Sequence, residues 1–182
     1  MPDTSATINV SLRECRLVAY RVLWHHGAPV GTIPAIVDAI VAAEAAGRHG
    51  LQVLHEDAEV IGATAARPVT YERTGEELVI DAHGKHALAA VPDVADLTAA
   101  VRPANVRVVN AVRPELLGVH GGADRILRHG TDIDADLWWA LFHLGNLALT
   151  PDSAVSRRHT GRSVFDANGR IVGELGEDAQ AS

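Results

Sequence analysis

The sequence predicts a mixed α+β protein of the α/β class, with a helical N-terminus, a small central sheet flanked by helices and a C-terminal hairpin. Of its 182 residues, 47% are hydrophobic and 21% are charged, a balance typical of globular domains. Three local patterns support this fold class: a helix-capping motif at residues 11–14, a β-branched stretch at 106–112, and the turn-forming pair Asn168-Gly169.

Two helices are expected near the N-terminus. Ser11 and Glu14 form a capping box, and apolar residues follow at helical spacing until a glycine ends the pattern. Thr32 is expected to cap the second helix, which has Pro34 in its first turn. Residues 51–66 are ambiguous but are compatible with a third helix.

The central part of the chain alternates between strand and helix patterns. Residues 69–71 and 78–81 predict two short strands, and residues 106–112 predict the best strand of the chain. Between them, residues 86–101 predict a helix interrupted at Pro92, because proline lacks the N–H that a helix interior uses.

The C-terminal part begins with a helix that Asp134 caps and Pro151 ends. Residues 163–172 predict the hairpin. We expect residues 1–173 to form a single globular domain and residues 174–182 to form a frayed acidic tail.

Composition excludes several classes of function. The formal net charge of -7 and the 4% of aromatic residues argue against a nucleic-acid-binding protein. No stretch approaches the ~18 apolar residues of a membrane span, and the first ten residues hold no apolar run of a signal peptide. Cys15 is the single cysteine, so no internal disulfide can form, and we predict a cytoplasmic location.

His49 is the first candidate for proton transfer. It lies in Gly47-Arg-His-Gly50, just after the second predicted helix, where the backbone is open. The ordinary pKa of histidine lies near neutrality, which suits acid–base catalysis. A polar helix-capping role is the alternative.

His83 and His86 form a His-x-x-His pattern at a turn. Zinc requires three or four ligands at defined spacing, and no further motif accompanies this pair. We therefore predict no metal and interpret the two histidines as a solvated loop pair, with a metal-dependent enzyme as the alternative.

A polar segment at residues 153–163 is the most site-like part of the sequence. Arginine side chains present forked donors that match carboxylate or phosphate, and hydroxyl groups add further donors. An anionic small molecule is the predicted ligand; a solvated loop or an oligomer interface is the alternative. The predicted binding and catalytic residues of this segment are Ser153, Ser156, Arg157, Arg158, His159, Thr160 and Arg162.

The N-terminal segment resembles the malate/L-lactate dehydrogenase family that lacks a Rossmann fold. The similar stretches are Val10-Ser-Leu-Arg-Glu14 and Glu44-Ala-Ala-Gly-Arg-His-Gly-Leu51, in which Arg48-His49-Gly50 takes the place of the family's Ser-His-Gly. The resemblance implies a histidine beside the substrate at His49 and NAD(P) as an alternative cofactor. The family's second histidine has no counterpart near Leu116, and the chain is about half the family's length.

The two ends of the chain are similar to the uncharacterised bacterial family DUF3726. Its members open with a Ser-Leu-x-Glu helix and close with a tryptophan-bearing helix followed by a Pro-x-Ser and Ser-Arg segment. The matching residues here are Leu137-Trp138, Pro151-Asp-Ser153, Ser156-Arg157 and Thr160-Gly161. This resemblance implies no activity.

Together these patterns predict a small cytosolic enzyme of small-molecule metabolism. It would act by acid–base chemistry on an anionic oxo, hydroxy or imino compound, without a cofactor, with His49 and His159 as catalytic residues. Two alternatives stay open: a non-catalytic accessory subunit or ligand-binding module, and an NAD(P)-dependent oxidoreductase. We expect the chain to form a homo-oligomer or to bind a partner enzyme subunit.

Overall fold

The computed structural model describes residues 6–118 and 123–149 and, without their side chains, residues 163–165 and 171–174. Contacts divide the chain into two compact units, Met1–Leu149 and Thr150–Ser182. The first unit holds, in chain order, β1 (Thr7–Val10), α1 (Leu12–His25), α2 (Ile33–Ala45), α3 (Gly50–Thr64), β2 (Thr70–Thr74), β3 (Glu77–Asp81), α4 (Ala87–Val101), β4 (Asn105–Val109), a 3-10 turn (Pro114–Leu116), α5 (Ala123–His129), β5 (Thr131–Asp134) and α6 (Ala135–Asn146).

Helices α1, α2, α3 and α6 pack together around the main apolar core. In α1, α3 and α6 the inward positions recur every three or four residues, so that each of these helices buries one stripe. Helix α2 is buried on most of its sides, since the five successive residues 39–43 are all buried. None of the described helices has the length and apolarity needed to cross a membrane. The large, fully buried side chains of this core include Leu23, Ile33, Ile36, Ile40, Leu51, Leu54, Ile61 and Leu141.

A three-stranded sheet follows α1, α2 and α3 in the sequence, with the strand order β2-β3-β4. Strands β2 and β3 form an antiparallel hairpin in which Thr70 pairs with Asp81. Strands β3 and β4 are parallel and are joined by α4, because parallel neighbours require a crossover connection. Leu78 and Ile80 of β3 are fully buried. The mixed α+β class predicted from the sequence is confirmed.

A separate two-stranded sheet joins two distant parts of the first unit. Strand β1 runs antiparallel to β5, with Thr7 opposite Asp134 and Val10 opposite Thr131. Asp134 then caps α6, since its side chain accepts hydrogen bonds from the N–H groups of Asp136 and Leu137. The predicted cap at Asp134 is therefore confirmed.

The two predicted N-terminal caps differ in outcome. At α1 the capping box is complete: the Ser11 N–H donates to Glu14 at 2.8 Å, and the Glu14 N–H donates to the Ser11 hydroxyl at 3.3 Å. At α2 the Thr32 side chain makes no hydrogen bond to the helix. Its hydroxyl donates instead to the Pro29 carbonyl at 2.8 Å, so the predicted side-chain cap at Thr32 is wrong.

This difference predicts unequal effects of two similar substitutions. Ser11→Ala should lower the free energy of unfolding by about 1 kcal/mol, because it removes an N-cap acceptor. Thr32→Ala should change it by less than about 0.5 kcal/mol, since the Thr32 side chain stands at the N-cap position but accepts no hydrogen bond from the helix. Urea unfolding of both variants measures the difference, and equal losses would contradict this account of the caps.

Helix α4 also departs from the expectation. It runs without interruption from Ala87 to Val101 with Pro92 inside it, so the predicted break is wrong. Pro92 removes one N–H donor from the helix, but the helix continues on both sides of it. Strand β4 ends at Val109, three residues earlier than predicted, because Asn110 adopts a left-handed conformation with φ of 56°.

The second unit contains an antiparallel pair of strands, β6 (Ser163–Phe165) and β7 (Ile171–Glu174). Ser163 pairs with Glu174 and Phe165 pairs with Ile171, which confirms the two strands of the predicted hairpin. The predicted turn at Asn168-Gly169 and the tail beyond Glu174 lie outside the described residues.

Candidate functional site

The carboxyl ends of β3 and β4 lie side by side, because the two strands are parallel neighbours. In sheets of this kind ligands bind beyond the carboxyl ends of the strands. His83, Asn110 and Arg113, in the turns that follow these strands, have φ values of 48°, 56° and 55°. Left-handed conformations of non-glycine residues cost of order 1–3 kcal/mol each and cluster at functional sites. This edge of the sheet is therefore the candidate site.

A hydroxyl, an imidazole and a carboxylate form a row at this edge. Thr70 and Asp81 face each other across the β2–β3 hairpin, which places their side chains on the same face. The His83 Nε2 lies 2.7 Å from the Thr70 Oγ1, and the His83 Nδ1 lies 3.5 Å from the Asp81 Oδ1. The ring of His83 thus bridges the other two groups.

Local hydrogen bonds fix the acidic end of this row. The His83 backbone N–H donates to the Asp81 Oδ1 at 2.8 Å, and the Asn110 side-chain amide donates to the Asp81 Oδ2 at 3.0 Å. These two bonds, and the nearby charge of a protonated His83, lower the pKa of Asp81. The carboxylate is therefore ionised at neutral pH and keeps a negative charge beside the imidazole.

This charge selects the tautomer of His83. A carboxylate facing Nδ1 favours the proton on that nitrogen, which leaves Nε2 to accept the hydrogen bond from the Thr70 hydroxyl. The side chains of His83 and Asp81 are 46% and 31% exposed, so a dissolved molecule can reach them. In this order the imidazole can accept the hydroxyl proton, and the ionised carboxylate can stabilise the imidazolium that forms.

A cation from the segment between α3 and β2 contacts the turn that contains His83. The Arg67 Nη1 donates to the His83 carbonyl at 3.3 Å and approaches the Gly84 carbonyl at 3.5 Å. The backbone carbonyl of Arg67 accepts a hydrogen bond at 3.1 Å from the Nζ of Lys85, whose side chain is almost fully buried. Arg67 is exposed, and its guanidinium carries further N–H donors that fit a carboxylate or phosphate.

His86 belongs to a different, buried network. Its Nδ1 accepts a hydrogen bond from the Leu88 N–H at 3.2 Å, and its Nε2 lies 3.3 Å from the Asp57 Oδ2. The same Asp57 oxygen accepts from the Arg113 Nε at 2.8 Å, and Arg113 Nη2 donates to Glu56 at 2.7 Å. This network ties α3 to the start of α4 and to the turn after β4.

The protonation state of His86 follows from its surroundings. Burial lowers its pKa, although the hydrogen bond to Asp57 acts in the opposite direction. Since Nδ1 accepts the Leu88 N–H, the neutral ring carries its proton on Nε2 and donates it to Asp57. Both ring nitrogens are used, so neither is available to a ligand.

The two histidines of the His-x-x-His pattern therefore differ. The interpretation of a solvated loop pair is correct for His83 and wrong for His86, which is completely buried because it links three elements of the fold. The rings contact different carboxylates, Asp81 and Asp57. In the part of the chain that the structure describes, no group of three or more histidine, cysteine or acidic residues could hold a metal ion.

His49 lies at the start of α3 and is exposed. It has a left-handed conformation with φ of 51°, and its side chain makes no capping hydrogen bond to the helix. A side chain at the next residue, Gly50, would overlap the carbonyl oxygen of Ile40 in α2. This close packing fixes the backbone at His49, but no described hydrogen bond orients the His49 ring.

The other predicted site residues lie outside the described residues. Their proximity to His49 stays a prediction. These residues are Ser153, Ser156, Arg157, Arg158, His159, Thr160 and Arg162.

Cys15, which the sequence places on the buried stripe of α1, is 1% exposed. Burial raises the pKa of its thiol to about 12, and the negative charges of Glu44 and Glu14 act in the same direction. The thiol is therefore protonated at neutral pH, as expected for a packing residue rather than a nucleophile.

Sequence reasoning missed the combination of Thr70, Asp81 and His83. The signal was present in Asp81-Ala-His-Gly84, where an aspartate at the end of a strand can accept a hydrogen bond from the backbone N–H of the residue two positions later. The contact with Thr70 depends on which residues of β2 and β3 face each other. The prediction of two short strands did not assign that register.

Comparisons with family models, with curated proteins and with solved structures find no match to this chain, so the two family resemblances stay predictions.

Proposed function

We propose that this chain is a cytoplasmic enzyme that acts by acid–base chemistry on a small anionic oxo, hydroxy or imino compound. The reacting site lies at the carboxyl ends of β3 and β4, and His83 is its proton-transfer residue. One observation carries the proposal: the His83 ring lies 2.7 Å from the Thr70 hydroxyl and 3.5 Å from the Asp81 carboxylate. His83 takes this role in place of His49, whose ring has no described partner to orient it.

Each group has a distinct task. His83 Nε2 accepts a proton from the bound compound or from the Thr70 hydroxyl, and the imidazolium that forms faces the ionised Asp81. Arg67 binds the negative group of the compound through guanidinium N–H donors held beside the His83 turn. A positioned acid–base residue contributes about 10²–10⁴-fold to the rate of such a reaction.

The binding part of the proposal is tested by thermal shift. The probes are small oxo and hydroxy acids, their half-esters, inorganic phosphate, NADH and NADPH. A ligand at about 100 times its Kd stabilises the folded state by about 2.7 kcal/mol. We expect at least one carboxylate probe to stabilise the wild type and the Arg73→Gln control, in which an exposed arginine of β2 is replaced, but not Arg67→Gln. Failure of every anionic probe would contradict the proposal.

The catalytic part is tested with the stabilising compound in D₂O, followed by proton NMR. We expect conversion or hydrogen–deuterium exchange in the wild type and at least about 100-fold slower reaction in His83→Asn. Asparagine tolerates the left-handed conformation that His83 adopts, so this variant preserves the turn. His55→Gln, which changes an exposed histidine of α3, is the control. An equally active His83→Asn variant would contradict the proposal.

Two other outcomes identify the alternatives. Stabilisation by an anion without any conversion or exchange would favour a non-catalytic binding module or accessory subunit. Stabilisation by NADH or NADPH would favour an oxidoreductase, the function that the resemblance at His49 implies.

A further inference from the structure

We infer that Thr70 is a nucleophile, and that the enzyme takes an ester which carries a free carboxylate and transfers its acyl group to the Thr70 hydroxyl. This inference rests on the proposed function and names its substrate class. It arises from the side of His83 that faces away from Asp81, where the described partner is a hydroxyl group.

The first argument is the order of the three groups. A hydroxyl becomes nucleophilic when an adjacent base accepts its proton and a third group orients that base. Here Nε2 of His83 is within 2.7 Å of the Thr70 Oγ1, and the opposite ring nitrogen faces Asp81. Two hydrogen bonds, from the His83 backbone and from Asn110, fix the carboxylate in turn. A surface hydrogen bond between Thr70 and His83 alone would not require this second set of contacts.

The second argument is accessibility. Thr70 is exposed at the first position of β2, so a dissolved ester can approach its hydroxyl. Cys15 is the chain's single cysteine, and its thiol is buried in the core. The exposed guanidinium of Arg67, three residues before Thr70, carries the charge that would bind the free carboxylate.

The reaction balances without any further reactant except water. The Thr70 hydroxyl gives its proton to His83 Nε2, the Oγ1–acyl bond forms, and the ester C–O bond breaks. The leaving alcohol takes the proton from His83. A water molecule then gives a proton to His83 and attacks the acyl group, which leaves as a carboxylic acid, and the proton returns to the Thr70 oxygen.

The test uses p-nitrophenyl acetate and monomethyl succinate as probes. With the first, we expect acetylation of the peptide that contains Thr70, seen by mass spectrometry, and release of p-nitrophenolate. Thr70→Val, which keeps the shape and the strand preference of threonine, should lose the label and at least about 100-fold in the hydrolysis rate of both esters. Thr70→Ser should keep both. Thr74→Val, at the other end of β2, is the matched control and should behave as the wild type.

The outcomes separate this inference from the proposed function. If Thr70→Val hydrolyses both esters as fast as the wild type, or if the acetyl group is found on another residue, Thr70 is not the nucleophile. The proposed function still stands in that case, provided that His83→Asn is inactive. If His83→Asn is as active as the wild type, both fail. Circular dichroism and thermal melting of Thr70→Val establish that the variant is folded.

Discussion

Replacing His86 by leucine should lower the free energy of unfolding by about 2–4 kcal/mol. The substitution removes the acceptor that caps the Leu88 N–H, which costs about 1 kcal/mol, and leaves Asp57 without one of its donors, which costs about 1–3 kcal/mol. Leucine has a volume similar to that of histidine, so little of the loss comes from a cavity. Chemical denaturation measures the effect.

Two control variants separate the contributions. His86→Asn keeps a short acceptor for the Leu88 N–H but cannot reach Asp57, so it should retain the capping part of the stability. His55→Leu changes an exposed histidine of α3 and should alter stability by less than about 0.5 kcal/mol. A His86→Leu variant as stable as the wild type would show that the buried network does not hold α3 and α4 together.

The same substitution should reduce the sensitivity of the fold to acid. Burial lowers the pKa of His86 from its ordinary value of 6.5, so the unfolded chain binds a proton at a higher pH than the folded chain. This contribution to stability is complete above pH 6.5 and is lost as the pH falls through the folded-state pKa. Within that pH range, His86 changes the free energy of unfolding by at most about 1.4 kcal/mol per pH unit. If the free energy of unfolding changed equally with pH in the wild type and in His86→Leu below neutral pH, this would contradict a neutral, buried His86.

Gly62→Ala should destabilise the fold by about 3 kcal/mol. A Cβ atom at this position of α3 would overlap the carbonyl oxygen of His26 and lie 2.9 Å from its carbonyl carbon. Both atoms belong to the backbone at the end of α1, so a side-chain rotation cannot relieve the contact. Overpacking of this kind forces helices apart and costs about 1–3 kcal/mol, and a backbone clash lies at the upper end. The melting temperature and urea midpoint measure it.

Gly31→Ala is the control for this prediction. A Cβ atom at Gly31 would have no heavy atom within 4 Å, and its φ lies outside the region that favours glycine. Because alanine also reduces the freedom of the unfolded chain, this variant should be as stable as the wild type or slightly more stable. A Gly62→Ala variant as stable as Gly31→Ala would show that α1 and α3 can separate without cost.

Local sequence signals predicted the helices and most strands. The caps at Ser11 and Asp134 were correct because each depends on residues within three positions. Thr32 has the right residue type at the right place, yet its hydroxyl binds Pro29 instead, since threonine can hydrogen-bond to preceding carbonyls as well as to a helix. Strand β1 was missed because it is four residues long and pairs with β5 across more than 120 residues of chain.

The candidate site was only partly predictable for the same physical reason. His83 was singled out by its spacing from His86 and was interpreted as one of a solvated loop pair, with metal binding as the alternative. Its partners are Thr70 across a hairpin and Asp81 two residues earlier. Arg113 gave no signal in the sequence, because its role in the buried network depends on a hydrogen bond to Asp57, which is 56 residues away. Proton-transfer chemistry was inferred from the presence of histidine alone. Choosing one of the ten histidines required knowing which side chains contact each ring in the folded protein.

The pairing of β1 with β5 has a consequence for synthesis of the chain. The first strand finds its partner only after residue 134 has left the ribosome, and α1 packs on α6, which ends at Asn146. Closing a loop of this length costs conformational entropy, and this cost comes before the contacts between the two ends can stabilise the chain. During synthesis, the apolar side chains of α1, α2 and α3 therefore emerge before α6 can cover them. We expect β1 to be among the last elements of the first unit to reach its final place.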